Sequence, residues 1–213
     1  MKTDDLIAML AKDVAPSPNG RVTARLVAMC AVGAAVAFGV LLVWLGLRPD
    51  MMAALQSGPY WMKTVYTAGF AAGGFALIER LSRPGARGKL GAIMVALCVL
   101  AIFSMAMMQM MRAAPDARMA AMMGSTWTKC PWRILSLSLP VLAAILYSVR
   151  QFAPTRLTLA GAASGLLAGG IAATVYGLYC EETAAPFVAI WYTLGMSLSA
   201  GVGAILGRRV LAW

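Results

Sequence analysis

The sequence predicts an all-α, polytopic membrane protein, with six transmembrane helices in three hairpins and both termini on the cytoplasmic side. Three observations lead there. Of 213 residues, 61% are hydrophobic and 12% charged, with a mean hydropathy of +0.78. A soluble domain of this length cannot bury that much apolar surface. The apolar residues fall in long uncharged runs of the length a helix needs to cross hydrocarbon. Lysine and arginine collect at the ends of those runs, unequally between alternate loops.

Residues 1–25 precede the first run and read as a cytoplasmic handle. Thr3 suits a helix N-cap, and Asp4 and Asp5 complement the macrodipole in the first turn. Leu6, Ile7, Leu10 and Val14 then share one face, and Pro16, Pro18 and Asn19-Gly20 end the helix and leave a leash to Arg21. A helix this short is marginal alone in water. It either lies on the inner leaflet or docks into a groove on a partner. Helices that lie on membranes favour lysine and arginine on the polar face, whereas this one sets Asp4, Asp5 and Asp13 against Lys2 and Lys12. The acids favour a protein partner with a basic surface.

The first run, 26–47, starts too far into the chain for a signal peptide. At roughly 1.5 Å per residue it covers roughly 33 Å, and it is a retained span. The remaining spans are expected at 64–78, 90–111, 134–149, 157–179 and 185–206, which makes 26–206 the membrane domain and 207–213 a short cytoplasmic tail. The second and fourth are short, and their flanking Tyr60, Trp61 and Trp132 suit the headgroup zone. Pro140 falls inside the fourth and predicts a kink. Pro59-Tyr60-Trp61, Pro131-Trp132 and Pro186-Phe187 each stand just before an even-numbered span, where proline fits a first helical turn. This recurrence suggests three hairpins.

Sidedness follows from the basic residues. With the N-terminus inside, Lys2, Lys12, Arg21, Arg25, Arg80, Arg83, Arg87, Lys89, Arg150, Arg156, Arg208 and Arg209 are cytoplasmic. Arg48, Lys63, Arg112, Arg118, Lys129 and Arg133 are outside. The asymmetry favours N-in, C-in. The net charge of +10 is accounted for by these flanks, and direct nucleic-acid binding is not expected.

Spans five and six bear small residues every fourth position: Gly161, Gly165, Gly169, Ala173 and Gly177, then Gly195, Ser199, Gly203 and Gly207. Such stripes let helix backbones approach closely in lipid. A broken helix lining a transport path uses glycines too, but no charged residue lies inside any span as drawn, which argues against coupled transport. The chain has no histidine, and no catalytic constellation or phosphate-binding loop is found. It reads as a non-enzyme needing no cofactor.

Cys30 and Cys98 lie within spans one and three, where an inert thiol is the default. Cys130, in GSTWTKCPWR, and Cys180, in YGLYCEE, both reach the outer face. Three roles stay open for them: a static disulfide, a switching pair, or ligands for a soft metal joined by Glu181 and Glu182. Met105, Met107, Met108, Met110, Met111, Met119, Met122 and Met123 gather at the outer end of span three. Thioethers bind Cu(I), yet they are more often adaptable apolar filler. A small transporter or metal-handling carrier using this cluster is the alternative functional reading.

Several blocks together carry a family resemblance: MKTDDLIAML, LRPD ahead of a PYW element, RLSRPG, TWTKCPWRILSLSLP, RQFAPTRLTLAGAASG, YGLYCEETAAPFVAIWYTLG and LGRRVLAW. They resemble the NrsF family of six-span bacterial inner-membrane anti-sigma factors, which act on extracytoplasmic-function sigma factors. The resemblance runs from Met1 to Trp213. It implies that the cytoplasmic N-terminal segment, with Asp4, Asp5, Leu6, Ile7 and Leu10, holds the sigma factor. It also implies that Cys130 and Cys180 serve in sensing heavy-metal or oxidative stress. The family lacks the soluble zinc-binding domain of better-known anti-sigma factors, so their mode of sigma binding does not transfer.

Overall fold

The computed structural model describes residues 20–83 and 88–212, and every regular element among them is helical. The expected sigma-binding residues Asp4, Asp5, Leu6, Ile7 and Leu10 lie outside the described residues. Helix α1 spans Gly20–Trp44, α3 Gly58–Leu81, α4 Lys89–Arg112, α6 Cys130–Arg150 and α7 Leu157–Tyr176. Helix α8 runs Ala185–Val210 and contains a π-helical turn at Val188–Tyr192. Two short helices stand in connecting segments, α2 at Met51–Leu55 and α5 at Pro115–Met123. Pro59, Pro131 and Pro186 sit in the first turns of α3, α6 and α8. There the missing N–H costs nothing.

Among the described residues, five helices are long and apolar enough to cross a membrane: Val22–Trp44, α4, α6, α7 and α8. The expected second span, 64–78, lies within α3. That helix equals α4 in length at 24 residues, but it includes Lys63, Glu79 and Arg80 and is not one of the five.

Helix α7 is the hub, packing on α8, α3 and α6. Its glycines explain why. A Cβ at Gly161 would lie 2.8 Å from the Gly207 Cα, and one at Gly165 would lie 2.7 Å from the Ala200 Cα. On the opposite face, a Cβ at Gly170 would meet the Ala71 backbone nitrogen at 2.6 Å. Only hydrogen fits at these crossings, and the backbones close to contact. Hydroxyl pairs tie the same helices, with Thr174 donating to Thr67 at 2.9 Å and Ser199 to Ser138 at 2.8 Å.

Among the expected hairpins, only α7 with α8 is closely packed. Helix α1 leans mainly on α6, seating Gly33 over Val141, and only grazes α3; α4 leans on α3. The outer faces of α1 and α4 stay exposed, with Val43 92% and Met111 74% accessible. Such surfaces suit lipid.

Candidate sensor site

One end of the bundle gathers the segment after α1, the α4–α6 connection and the non-helical strap between α7 and α8. The strap, residues 177–184, is pinned from four directions. Leu178 accepts a backbone hydrogen bond from Arg48 at 3.2 Å. The Glu182 carboxylate accepts from the backbone N–H and the hydroxyl of Ser125, at 2.7 and 2.8 Å. Gly124 sits directly under that carboxylate at φ 54°, a left-handed backbone where a side chain would also collide with Glu182. At the strap's exit, Ala185 donates its N–H to the Gln109 side chain at 2.9 Å.

The fourth attachment is Lys63, which projects from the second turn of α3 into the interior and is 1% exposed. Its ammonium donates to the backbone carbonyls of Cys180 at 2.6 Å and Glu182 at 3.0 Å, and stands 5.7 Å from the centre of the Tyr192 ring. An ammonium in so dry a place persists only with partners of this kind. Lysine's long apolar stem lets it cross the packed layer to reach them.

Cys130 opens α6 and Cys180 closes the turn after α7, and both are buried in one cluster with Ile134, Tyr176, Phe187 and Tyr192. Both thiols are unpaired in this structure. The Tyr176 and Tyr192 hydroxyls are buried in the same cluster, and neither has a hydrogen-bond partner. The Tyr176 and Tyr192 rings stack at 5.9 Å, and Arg133 lies over Tyr179 at 5.2 Å. The site is therefore two thiols in an aromatic pocket, with the backbone of one held by a buried cation.

At the rim, Arg48 clasps Asp50 through two hydrogen bonds, of 2.6 and 2.7 Å. Those bonds hold the Asp50 carboxyl below the ordinary aspartate range. The glutamates proposed as metal partners are placed elsewhere: Glu182 is committed to Ser125, and Glu181 points to solvent. Among the described residues no three His, Cys, Asp or Glu side chains converge on a common point. Of the methionine cluster, Met105 and Met108 join Met62 around an open pocket of about 870 Å³. Arg112 shares that pocket and disfavours a cation there.

Sequence reasoning brought Cys130 and Cys180 to one end of the molecule but treated Lys63 as a topological charge. A signal was present. Tyr60, Lys63, Thr67, Phe70, Gly74 and Ile78 recur at helical spacing and form the buried stripe of α3. A lysine on such a stripe points inward.

Residues 10–213 match the family described as "NrsF: Negative regulator of sigma F". Two relatives align over the whole of both chains. The "Probable anti-sigma-F factor NrsF" of Azospira oryzae is 41% identical over 213 residues, and the "Anti-sigma-F factor NrsF" of Caulobacter vibrioides is 38% identical over 219. No solved structure matches the chain at comparable significance.

Proposed function

The chain belongs to the NrsF family, and from that premise we propose that it is a membrane-bound anti-sigma factor that retains an extracytoplasmic-function sigma factor at the bacterial inner membrane. Residues 1–25 face the cytoplasm, and the apolar face of Leu6, Ile7 and Leu10 docks on the sigma factor, flanked by Asp4 and Asp5. Helix α3 is the second of six spans, in addition to the five apolar helices. Its Lys63 and Glu79 ends lie at headgroup depth, where paired or snorkelling charges are tolerated.

Cys130 and Cys180 sense heavy-metal or oxidative stress from the outer side. Oxidation joins the two sulfurs and passes two protons and two electrons to a thiol oxidant. A soft metal ion instead displaces the two thiol protons and takes both sulfurs as ligands. Either event moves the Cys180 backbone. The observation that supports this reading is the buried Lys63 ammonium on the Cys180 and Glu182 carbonyls. It makes α3 a rigid lever from the strap to the opposite end, where Glu79 accepts from Thr23 of α1 at 2.9 Å. Helix α1 follows directly on the sigma-binding segment. Displacement of α3 thus has a short route to the handle.

Two experiments test the reading. Deleting residues 1–20 abolishes co-purification of the sigma factor with the membrane fraction; binding that survives moves the contact to other cytoplasmic segments. Replacing Cys130 or Cys180 with serine freezes sigma-dependent transcription against cadmium or peroxide challenge, and unchanged induction in both variants removes the thiols from the mechanism.

A further inference from the structure

At the end of the bundle opposite the thiols, α4 and α7 both pack on α3 but barely touch each other. The gap between them is a groove of about 400 Å³. Leu77 of α3 forms its floor and Leu159, Ala162 and Leu166 of α7 one wall, so its lining is almost wholly apolar. Lys89 and Arg156 stand at its mouth, at the first turns of α4 and α7. Both side chains are exposed, and among the described residues neither makes an ion pair. The starts of α4 and α7 also lack a side-chain cap, so their free N–H groups add positive potential at the same depth. Glu79, the described acid at this end, is engaged by Thr23 and Arg83 and does not neutralise the mouth.

An apolar slot along membrane-spanning helices, with two unneutralised cations where the slot meets the headgroup layer, matches one class of molecule. We propose that the groove is a binding site for an anionic glycerophospholipid. One acyl chain lies along Leu77, Leu159, Ala162 and Leu166, and the phosphate sits between Lys89 and Arg156. The charge complementarity selects a headgroup of net negative charge, because a zwitterionic lipid brings its own cation to a mouth that already holds two. The lipid completes the α4–α7 interface that the protein leaves open. The site does not depend on the sensing or sigma-binding reading above.

The test is native mass spectrometry of the full chain released from detergent, titrated with phosphatidylglycerol or phosphatidylcholine of identical acyl chains. At the usual strength of one basic residue per anionic lipid, two cations predict a preference of about 30-fold for phosphatidylglycerol. The double variant Lys89→Gln, Arg156→Gln brings the two lipids within about threefold. Ala162→Phe, which fills the slot, weakens both. Arg118→Gln, at the other end of the bundle, leaves the preference intact. Equal affinity of the wild-type chain for the two lipids overturns the proposal. So does a preference that survives the double variant, or one that Arg118→Gln reduces as much.

Discussion

Replacing Lys63 with methionine removes the ammonium while keeping a long apolar side chain under the Tyr192 ring. Two carbonyls lose their donor. That of Cys180 is buried, whereas that of Glu182 is half-buried and water can take over there. A hydrogen bond to a charged group contributes about 1.5–3 kcal/mol, and an orphaned buried carbonyl costs about 1–3 kcal/mol. Against this, the variant no longer holds a cation out of water, which returns part of the loss. The balance is a local destabilisation of the strap by about 2–3 kcal/mol. In amide-exchange terms that is about 30- to 150-fold faster opening at Cys180 and Ala185, whose N–H groups bond Tyr176 and Gln109. Hydrogen–deuterium exchange on the full chain in nanodiscs reads this directly. The centre of α7 serves as an internal reference and stays unchanged. Exchange at 178–185 equal to wild type refutes the role given to Lys63, and uniform acceleration through α7 shows a global rather than a local support.

Gly165→Leu forces a side chain into the Ser199–Ala200 backbone and should cost at least about 3 kcal/mol, seen as loss of folded protein after detergent extraction. Gly39→Ala, with nothing within 4 Å of the new Cβ, should be neutral or slightly stabilising in the same assay. The Arg48 clasp lowers the Asp50 carboxyl, so its contribution is complete above the ordinary aspartate range near about 3.9 and disappears as pH falls through the lower folded value. Asp50→Asn should therefore flatten the acid limb of the melting-temperature profile below about pH 4 and change nothing near neutrality beyond a constant offset. Glu182→Gln keeps one acceptor for Ser125 but loses the charge, and should raise protease sensitivity of residues 113–129 by about fivefold, corresponding to about 1 kcal/mol.

Much of this architecture is legible in the sequence. The approximate positions of the long helices followed from charge spacing, and the stripes on 157–179 and 185–206 face each other because small residues are what that crossing admits. Cys130 and Cys180 reached a common end because alternate loops must. The partner of α1 was not readable. Its seat on α6 includes a close approach of Gly33 to Val141 and places Leu26 and Ala37 in one core with Leu142 and Ile145, and no periodicity within either helix singles out that partner. The site was half legible. Thiols announce themselves by residue type, whereas Glu182 acts through a loop serine, and Lys63 acts on backbone carbonyls that every residue possesses. Span boundaries drawn at charges also pushed Lys63 outside the helix, when α3 begins at Gly58 and draws it inward.

Under the proposed function, the state of two buried thiols sets the grip on a sigma factor across the bilayer. Its most direct test is the affinity of the cognate sigma factor for the full chain in nanodiscs, compared between the dithiol form and the Cys130–Cys180 disulfide form. A difference of about tenfold or more between the two forms is expected, abolished in Cys130→Ser. Equal affinity in both forms would contradict it.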